Sequence, residues 1–182
     1  MPGPIVVLDA NVLIPAAPRD TLLRAAERGL YQLRWSAEIL DEVERNLVEN
    51  DLTTAGDARD LINIMRGFFP EALVSGFEGL IDAMPVNSKD RHVLAAAVHA
   101  HAEIIVTENL RDFSEQAMAP YAIAAQSIDD FLVSLAERSP ALLAQIVNEQ
   151  AADLESPPVT LDDLLDTLAG WAPVFSENIR RR

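Results

Sequence analysis

Carboxylates are the main chemical resource of this chain: 29 aspartates and glutamates stand against 14 basic residues, with three histidines and no cysteine. That excludes a disulfide framework, a thiolate zinc centre and a cysteine nucleophile. Four acids follow strands or open helices. Asp9 closes the apolar run Ile5-Val6-Val7-Leu8, and Asp112 follows Ile104-Ile105-Val106 by a short loop. Glu42 falls in the second turn of the helix after Trp35, and Asp90 in the first turn of another, where the helix dipole favours an anion. In an open parallel sheet ligands gather beyond the carboxyl ends of the strands, so the four are expected to converge. Like charges brought together repel unless a hard cation neutralises them, and an all-oxygen ligand set selects magnesium or manganese over zinc. Such an ion polarises a phosphodiester and acidifies a bound water, which phosphodiester hydrolysis requires. Singly, each acid has a structural use as a turn former, a solvated helix residue or a helix-terminus charge; only the set points to a site.

The elements that must hold these acids follow from periodicity. Ile5 to Leu8 and Ile104 to Val106 read as strands buried on both faces of a parallel sheet, with further strands at Tyr31 to Trp35 and Tyr121 to Gln126. After a loop containing Pro15 and Pro18, a helix over 20 to 28 turns Leu22, Leu23, Ala25 and Ala26 to one face and stops at Gly29. Ser36 caps a helix carrying Ile39, Leu40, Val43 and Leu47, and a helix over 55 to 68 buries Leu61, Ile62, Met65 and Phe68. Asn87 or Ser88 caps an alanine-rich helix from Lys89 to about Ala102, and another runs over 129 to 137. The alternation predicts an α/β fold with a central parallel sheet.

From Ser139-Pro140 onward the pattern is helical only: a helix over 140 to 154, a break at Ser156-Pro157-Pro158, and a helix opened by Thr160 with Asp163 in capping-box spacing. Residues 1–138 therefore read as the α/β domain and 139–182 as a helical extension. Its apolar stripes, Leu142, Leu143 and Ile146, then Leu161, Leu164, Leu165 and Leu168, need a packing partner.

A net charge of -15 repels nucleic acid on average, but Arg19, Arg24, Arg28 and Arg34 cluster and Arg180 to Arg182 end the sequence. An RNA substrate therefore stays open, and Arg19, Arg24 and Arg28 form either a track for its backbone or the wet face of their helix. The N-terminus lacks the basic stretch of a signal peptide, and no run approaches the roughly 18 apolar residues of a membrane helix. A soluble, cytoplasmic protein with no membrane contact is expected. His92 and His99 share a helical face, but no carboxylate completes a zinc pattern with them, so a packing or surface role is expected for both. Gly76-Phe77-Glu78-Gly79 lacks the spacing of a phosphate loop, which argues against a nucleotide cofactor.

Val7-Leu8-Asp9-Ala10-Asn11-Val12-Leu13 resembles the opening motif of the PIN domain, a metal-dependent nuclease fold. Trp35 to Glu42 resembles the segment carrying the family's second acid, Ser88 to Ala97 the third, and Ile105-Val106-Thr107-Glu108-Asn109-Leu110-Arg111-Asp112-Phe113 the fourth. The similarity runs over residues 4–135, and the helices beyond resemble the extension of one subgroup of bacterial VapC-type toxins. The resemblance implies a PIN-like three-layer α/β fold with Asp9, Glu42 and Asp90 as metal ligands. At the fourth position many PIN domains have an acid where this chain has Asn109, whereas members with the Thr-x-Asn-Leu-x-Asp-Phe variant supply Asp112. Either Asp112 binds a second metal or Asn109 contributes a neutral oxygen, with Asn11 and Thr107 as supporting residues.

The resemblance further implies an endoribonuclease using Mg2+ or Mn2+, which inhibits translation by cutting RNA and is held inactive by a cognate antitoxin. The extension would then serve the core, a homodimer or an antitoxin surface. Two other classes compete: a phosphoaspartyl phosphatase, which expects an aspartate where Asn11 stands, and a non-catalytic module binding RNA or protein.

Overall fold

In the computed structural model, which describes residues 2–182, the described strands form one sheet, all parallel. They are β1 (Ile5–Leu8), β2 (Gln32–Ser36), β3 (Leu73–Val74), β4 (Ile104–Val106) and β5 (Ala124–Gln126), in the order β3-β2-β1-β4-β5. Val6, Val7 and Leu8 are wholly buried, which explains why the run lacks the alternation of a half-solvated strand. The chain lays β2 and β3 on one side of β1, then returns to lay β4 and β5 on the other. The order thus reverses between β1 and β4, where such a sheet opens a crevice at its carboxyl edge. The Asp9 amide donates to Val106 O at 3.0 Å there.

Helices flank the sheet: α1 (Ala10–Leu13), α2 (Ala16–Glu27), α3 (Ala37–Glu49), α4 (Ala55–Phe68), α5 (Arg91–His99), α6 (Glu115–Met118) and α7 (Ile128–Arg138). Ser36 caps α3 as expected, its hydroxyl accepting from the Ile39 amide. Helix α5 packs across β1, β2 and β4, and its wholly buried Ala95, Ala96 and Ala97 allow the close approach. Gly29 stops α2 with a φ of 73°, while its amide donates to Ala26 O and that of Leu30 to Ala25 O. This paired closure needs a residue in the left-handed region, where glycine has no Cβ to clash.

Three local expectations are corrected. Helix α2 begins at Ala16, four residues before the expected start and with Pro18 inside it; a proline in the first turn lacks only an N–H that would have had no intrahelical acceptor. Helix α4 has the expected bounds, but Phe68 is 58% exposed and Ile64 66%, because Ala58, Ile62 and Met65 make its buried face. The next residue, Phe69, fills the core instead, edge-on to Trp35 with ring centroids 5.9 Å apart. Helix α5 starts at Arg91 rather than Lys89: residues 87–90 form a turn closed by Asp90 N to Asn87 O, so neither Asn87 nor Ser88 is the cap.

The extension folds as α8 (Pro140–Ala152), α9 (Leu161–Leu168) and α10 (Pro173–Arg180), the last not foreseen from the sequence. Thr160 and Asp163 form the expected capping box. Leu143, Ile146, Leu164, Leu165, Leu168 and Phe175 are buried, continuous with the core of the α/β part. Helix α8 lies on α2, where Thr21 Oγ1 donates to Gln150 Oε1 at 2.6 Å and Gln150 Nε2 to Ala17 O at 3.0 Å. At its start α10 is held by Asp129 of α7, whose carboxylate accepts from the amides of Val174 at 3.1 Å and Phe175 at 2.8 Å.

The arginines follow this packing. Arg19 donates to the carbonyls of Leu13 and Ile14, Arg24 pairs with Asp20 and with Asp153 just past α8, and Arg28 pairs with Glu149 of α8. In the structure they pin helices, Arg28 from an exposed position. Arg180 likewise pairs with Asp162 and Asp166. Among the described residues no helix is long and apolar enough to cross a membrane.

Candidate active site

Asp9 leaves β1 with extended backbone and caps α1, so its carboxylate is fixed at the point where the strand order reverses. It is only 5% exposed, and both oxygens are engaged: Oδ1 accepts from the Ala10 amide at 2.8 Å, Oδ2 from Thr107 Oγ1 at 2.8 Å and Asn11 Nδ2 at 3.1 Å. Asn11 spans the crevice, since its Nδ2 also donates to Thr107 Oγ1 at 3.0 Å and its Oδ1 accepts from the Glu108 amide at 3.0 Å. Burial pushes the Asp9 carboxyl above its usual range, the Thr107 and Ala10 bonds pull it down, and the charge of Glu42 pushes it up again.

Asp90 occupies the cap position of α5 but makes no capping bond with its side chain. It is 8% exposed, and among the described residues its buried Oδ2 has no hydrogen-bond partner. Burial, reinforced by the charges of Asp9 and Asp112 and opposed by Lys89, raises its pKa to about 6. Asp112 is the opposite case. Its Oδ2 accepts from Asn109 Nδ2 at 2.8 Å and lies 3.1 Å from Lys89 Nζ, and these two donors hold the carboxyl below the usual range. Asn109 itself is placed by its amide, which donates to Thr107 Oγ1 at 3.1 Å.

Glu42 lies on α3 beside α5. His92 Nε2 donates to Glu42 Oε1 at 3.0 Å, and Glu38 Oε2 stands 3.7 Å from His92 Nδ1, which is buried and, among the described residues, without a hydrogen bond. Burial pulls the imidazole pKa down, yet the Glu42 bond and the two glutamate charges outweigh it and the net shift is upward. The expected packing role of His92 therefore comes with a second one, holding Glu42. Glu108, the acid nearest the end of β4, is turned away and accepts from the Ile128 amide at the start of α7.

The four acids named from the sequence thus meet at one edge and, Glu42 through its effect on Asp9, feel each other's charges. Among the described residues, however, no three acidic or imidazole side chains close on a common point as an ion cage. The all-oxygen character of the set and the orphaned oxygen of Asp90 fit a hard divalent cation. Two residues escaped sequence reasoning, Lys89 and the glutamate-holding side of His92. The signal for Lys89 was its place directly before Asp90; the partner of His92 lies 50 residues away and left no local signal.

Comparisons with known proteins bear on the fold as a whole. A family model described as PIN domain matches residues 5–112, and one described as VapC50 C-terminal domain matches residues 128–181, taking α7 together with the extension. A protein of Mycobacterium tuberculosis (strain ATCC 25618 / H37Rv) named "Putative ribonuclease VapC50" is 40% identical over 110 residues, which are 60% of this chain and 65% of that protein. The match thus spans just under two thirds of that relative's length. No solved structure matches the chain. The PIN-domain match runs from β1 to Asp112, more than half of the chain, and the chain belongs to the PIN-domain family.

Proposed function

We propose that the chain is a metal-dependent endoribonuclease that hydrolyses RNA phosphodiesters. In this reading it is the toxin of a toxin-antitoxin pair, acts on translation in the cytoplasm and is restrained by a cognate antitoxin. The observation that carries it is the Asp90 carboxylate, buried beside Asp9 and Asp112 with one oxygen that no described residue satisfies. A buried anion left in that condition is unfavourable until a cation meets it.

Asp9, Glu42, Asp90 and Asp112 are the residues that would hold Mg2+ or Mn2+, the oxygen donors such hard ions prefer. Bound there, the ion would polarise the phosphodiester and lower the pKa of water. The protein's part is to keep these oxygens in place. Thr107 and Asn11 fix Asp9, His92 fixes Glu42, and Asn109 fixes Asp112 rather than replacing it. An acidic rim disfavours a rigid duplex and suits single-stranded or looped RNA, whose phosphates can reach the site singly. The phosphoaspartyl reading is weakened because Asn11, standing where that chemistry expects an acid, is an amide that bridges Asp9 and Thr107. The extension, residues 139–182, belongs in this reading to the stability of the domain and to a surface for a second copy or the antitoxin.

Purified protein with Mn2+ or Mg2+ is expected to cut looped RNA. Asp9→Asn and Asp90→Asn should each lose more than the roughly hundredfold that loss of a ligand's hydrogen-bond partner costs, with unchanged circular dichroism. Intact RNA after incubation of the native protein with either ion would sink the reading.

A further inference from the structure

Lys89 is the single lysine of a chain with 13 arginines, and it stands at the mouth of the acidic crevice. Its Nζ lies 3.1 Å from Asp112 Oδ2 and 3.8 Å from Asp90 Oδ2, the latter too long for a hydrogen bond but within ion-pair range. The side chain is 67% exposed, so it can leave without disturbing the core. Its partners behave differently. Asp112 Oδ2 already accepts from Asn109, whereas among the described residues Asp90 Oδ2 accepts from nothing. The ammonium is therefore the cation nearest to the carboxylate oxygen of the site that, among the described residues, is buried without a partner, and it faces a pair of acids rather than a single one. A compact ammonium on a flexible stem can stand between two carboxylates.

We propose that Lys89 is the site's own counter-ion, an ammonium that neutralises the Asp90 and Asp112 side of the crevice and that a divalent cation must displace. This rests on the metal-dependent reading above. Lys89 then tunes occupancy: the ion competes with a tethered charge that is never diluted, so half-loading takes a higher divalent concentration than the carboxylates alone would need.

The test is calorimetric titration of the RNA-free full chain with Mn2+, comparing native protein with Lys89→Met, Lys89→Gln and Lys89→Arg. Removing the charge should tighten Mn2+ binding about two- to fivefold, the range an exposed ion pair accounts for, and lower the melting temperature of the metal-free protein. Lys89→Arg should stay near native. Unchanged or weaker Mn2+ binding in both neutral variants would overturn the proposal, and if RNA binding weakened alongside, Lys89 would belong to the substrate instead. Absence of Mn2+ binding by every form, native included, would remove the metal-dependent reading itself, a separate failure.

Discussion

The crevice between β1 and β4 and the seam between α2 and α8 treat polar groups in opposite ways. In the seam Thr21 and Gln150 are wholly buried yet satisfy one another and Ala17 O, and the charges above them pair as Arg24 with Asp153 and Arg28 with Glu149. In the crevice carboxylates crowd at the carboxyl edge, one buried oxygen has no partner among the described residues, and the pKa values of Asp9 and Asp90 are driven upward. Folds satisfy buried polar groups wherever stability alone decides. The same chain does so with care across one interface and fails to do so at another, which marks the second as the place where stability is not the only requirement.

The widest separation of the two regions should come from the apolar side of the extension. Phe175→Ala empties a fully buried site in α10 and should cost about 3–5 kcal/mol, a fall of roughly 10 °C in melting temperature, without altering the metal response of the crevice. A melt that barely moves would mean that the extension does not share the core of the α/β part.

A smaller effect, of opposite kind, belongs to the crevice. Asp90 is raised from 3.8 to about 6, so between those values the folded state holds more protons than the unfolded one. Its contribution to stability is full below about pH 4 and is lost as pH rises through about 6. The raised His92 contributes in the same direction at higher pH. Metal-free protein should therefore lose stability over this window, Asp90→Asn should flatten the loss, and the rise in melting temperature on adding Mn2+ should shrink at pH 5, where Asp90 is protonated. An Asp90→Asn variant with the native pH profile would show that the crevice is not electrostatically stressed.

The smallest effect is expected at the surface of the seam. Arg24→Ala removes exposed pairs and should cost only about 0–1 kcal/mol. RNA binding and its salt dependence should be unchanged, because this arginine is occupied by Asp20 and Asp153. A flattened salt dependence would point to the arginines as a track for the phosphate backbone.

What the sequence revealed divides along the same line. The bounds of α4, the Ser36 cap and the capping box of Thr160 and Asp163 rest on rules that act within four residues, and the alternation of strands and helices was enough for the parallel sheet. Asp9, Glu42, Asp90 and Asp112 were found by type and by position after strands or at helix starts. The bond between His92 and Glu42 joins residues 50 apart, and the pair of Arg28 and Glu149 residues 121 apart, so no local spacing announces either. Phe68 and Phe69 show the limit at short range. Both are apolar neighbours, and which of them enters the core depends on where Trp35 of β2 stands.

The reach of Asp129 has a consequence for motion. Helix α10 opens at Ala172 and Pro173, neither of which can cap it, so its first free amides depend on a carboxylate donated from α7. A helix whose first amides lack a cap ordinarily frays there and exchanges those protons first. Here the amides of Val174 and Phe175 are closed by a residue 45 and 46 positions earlier, and Phe175 and Ile179 anchor the turns behind them. Opening of α10 at that end is thereby tied to opening of α7, so amide exchange at Val174 should track the slow exchange of the core rather than the fast exchange of an uncapped helix start.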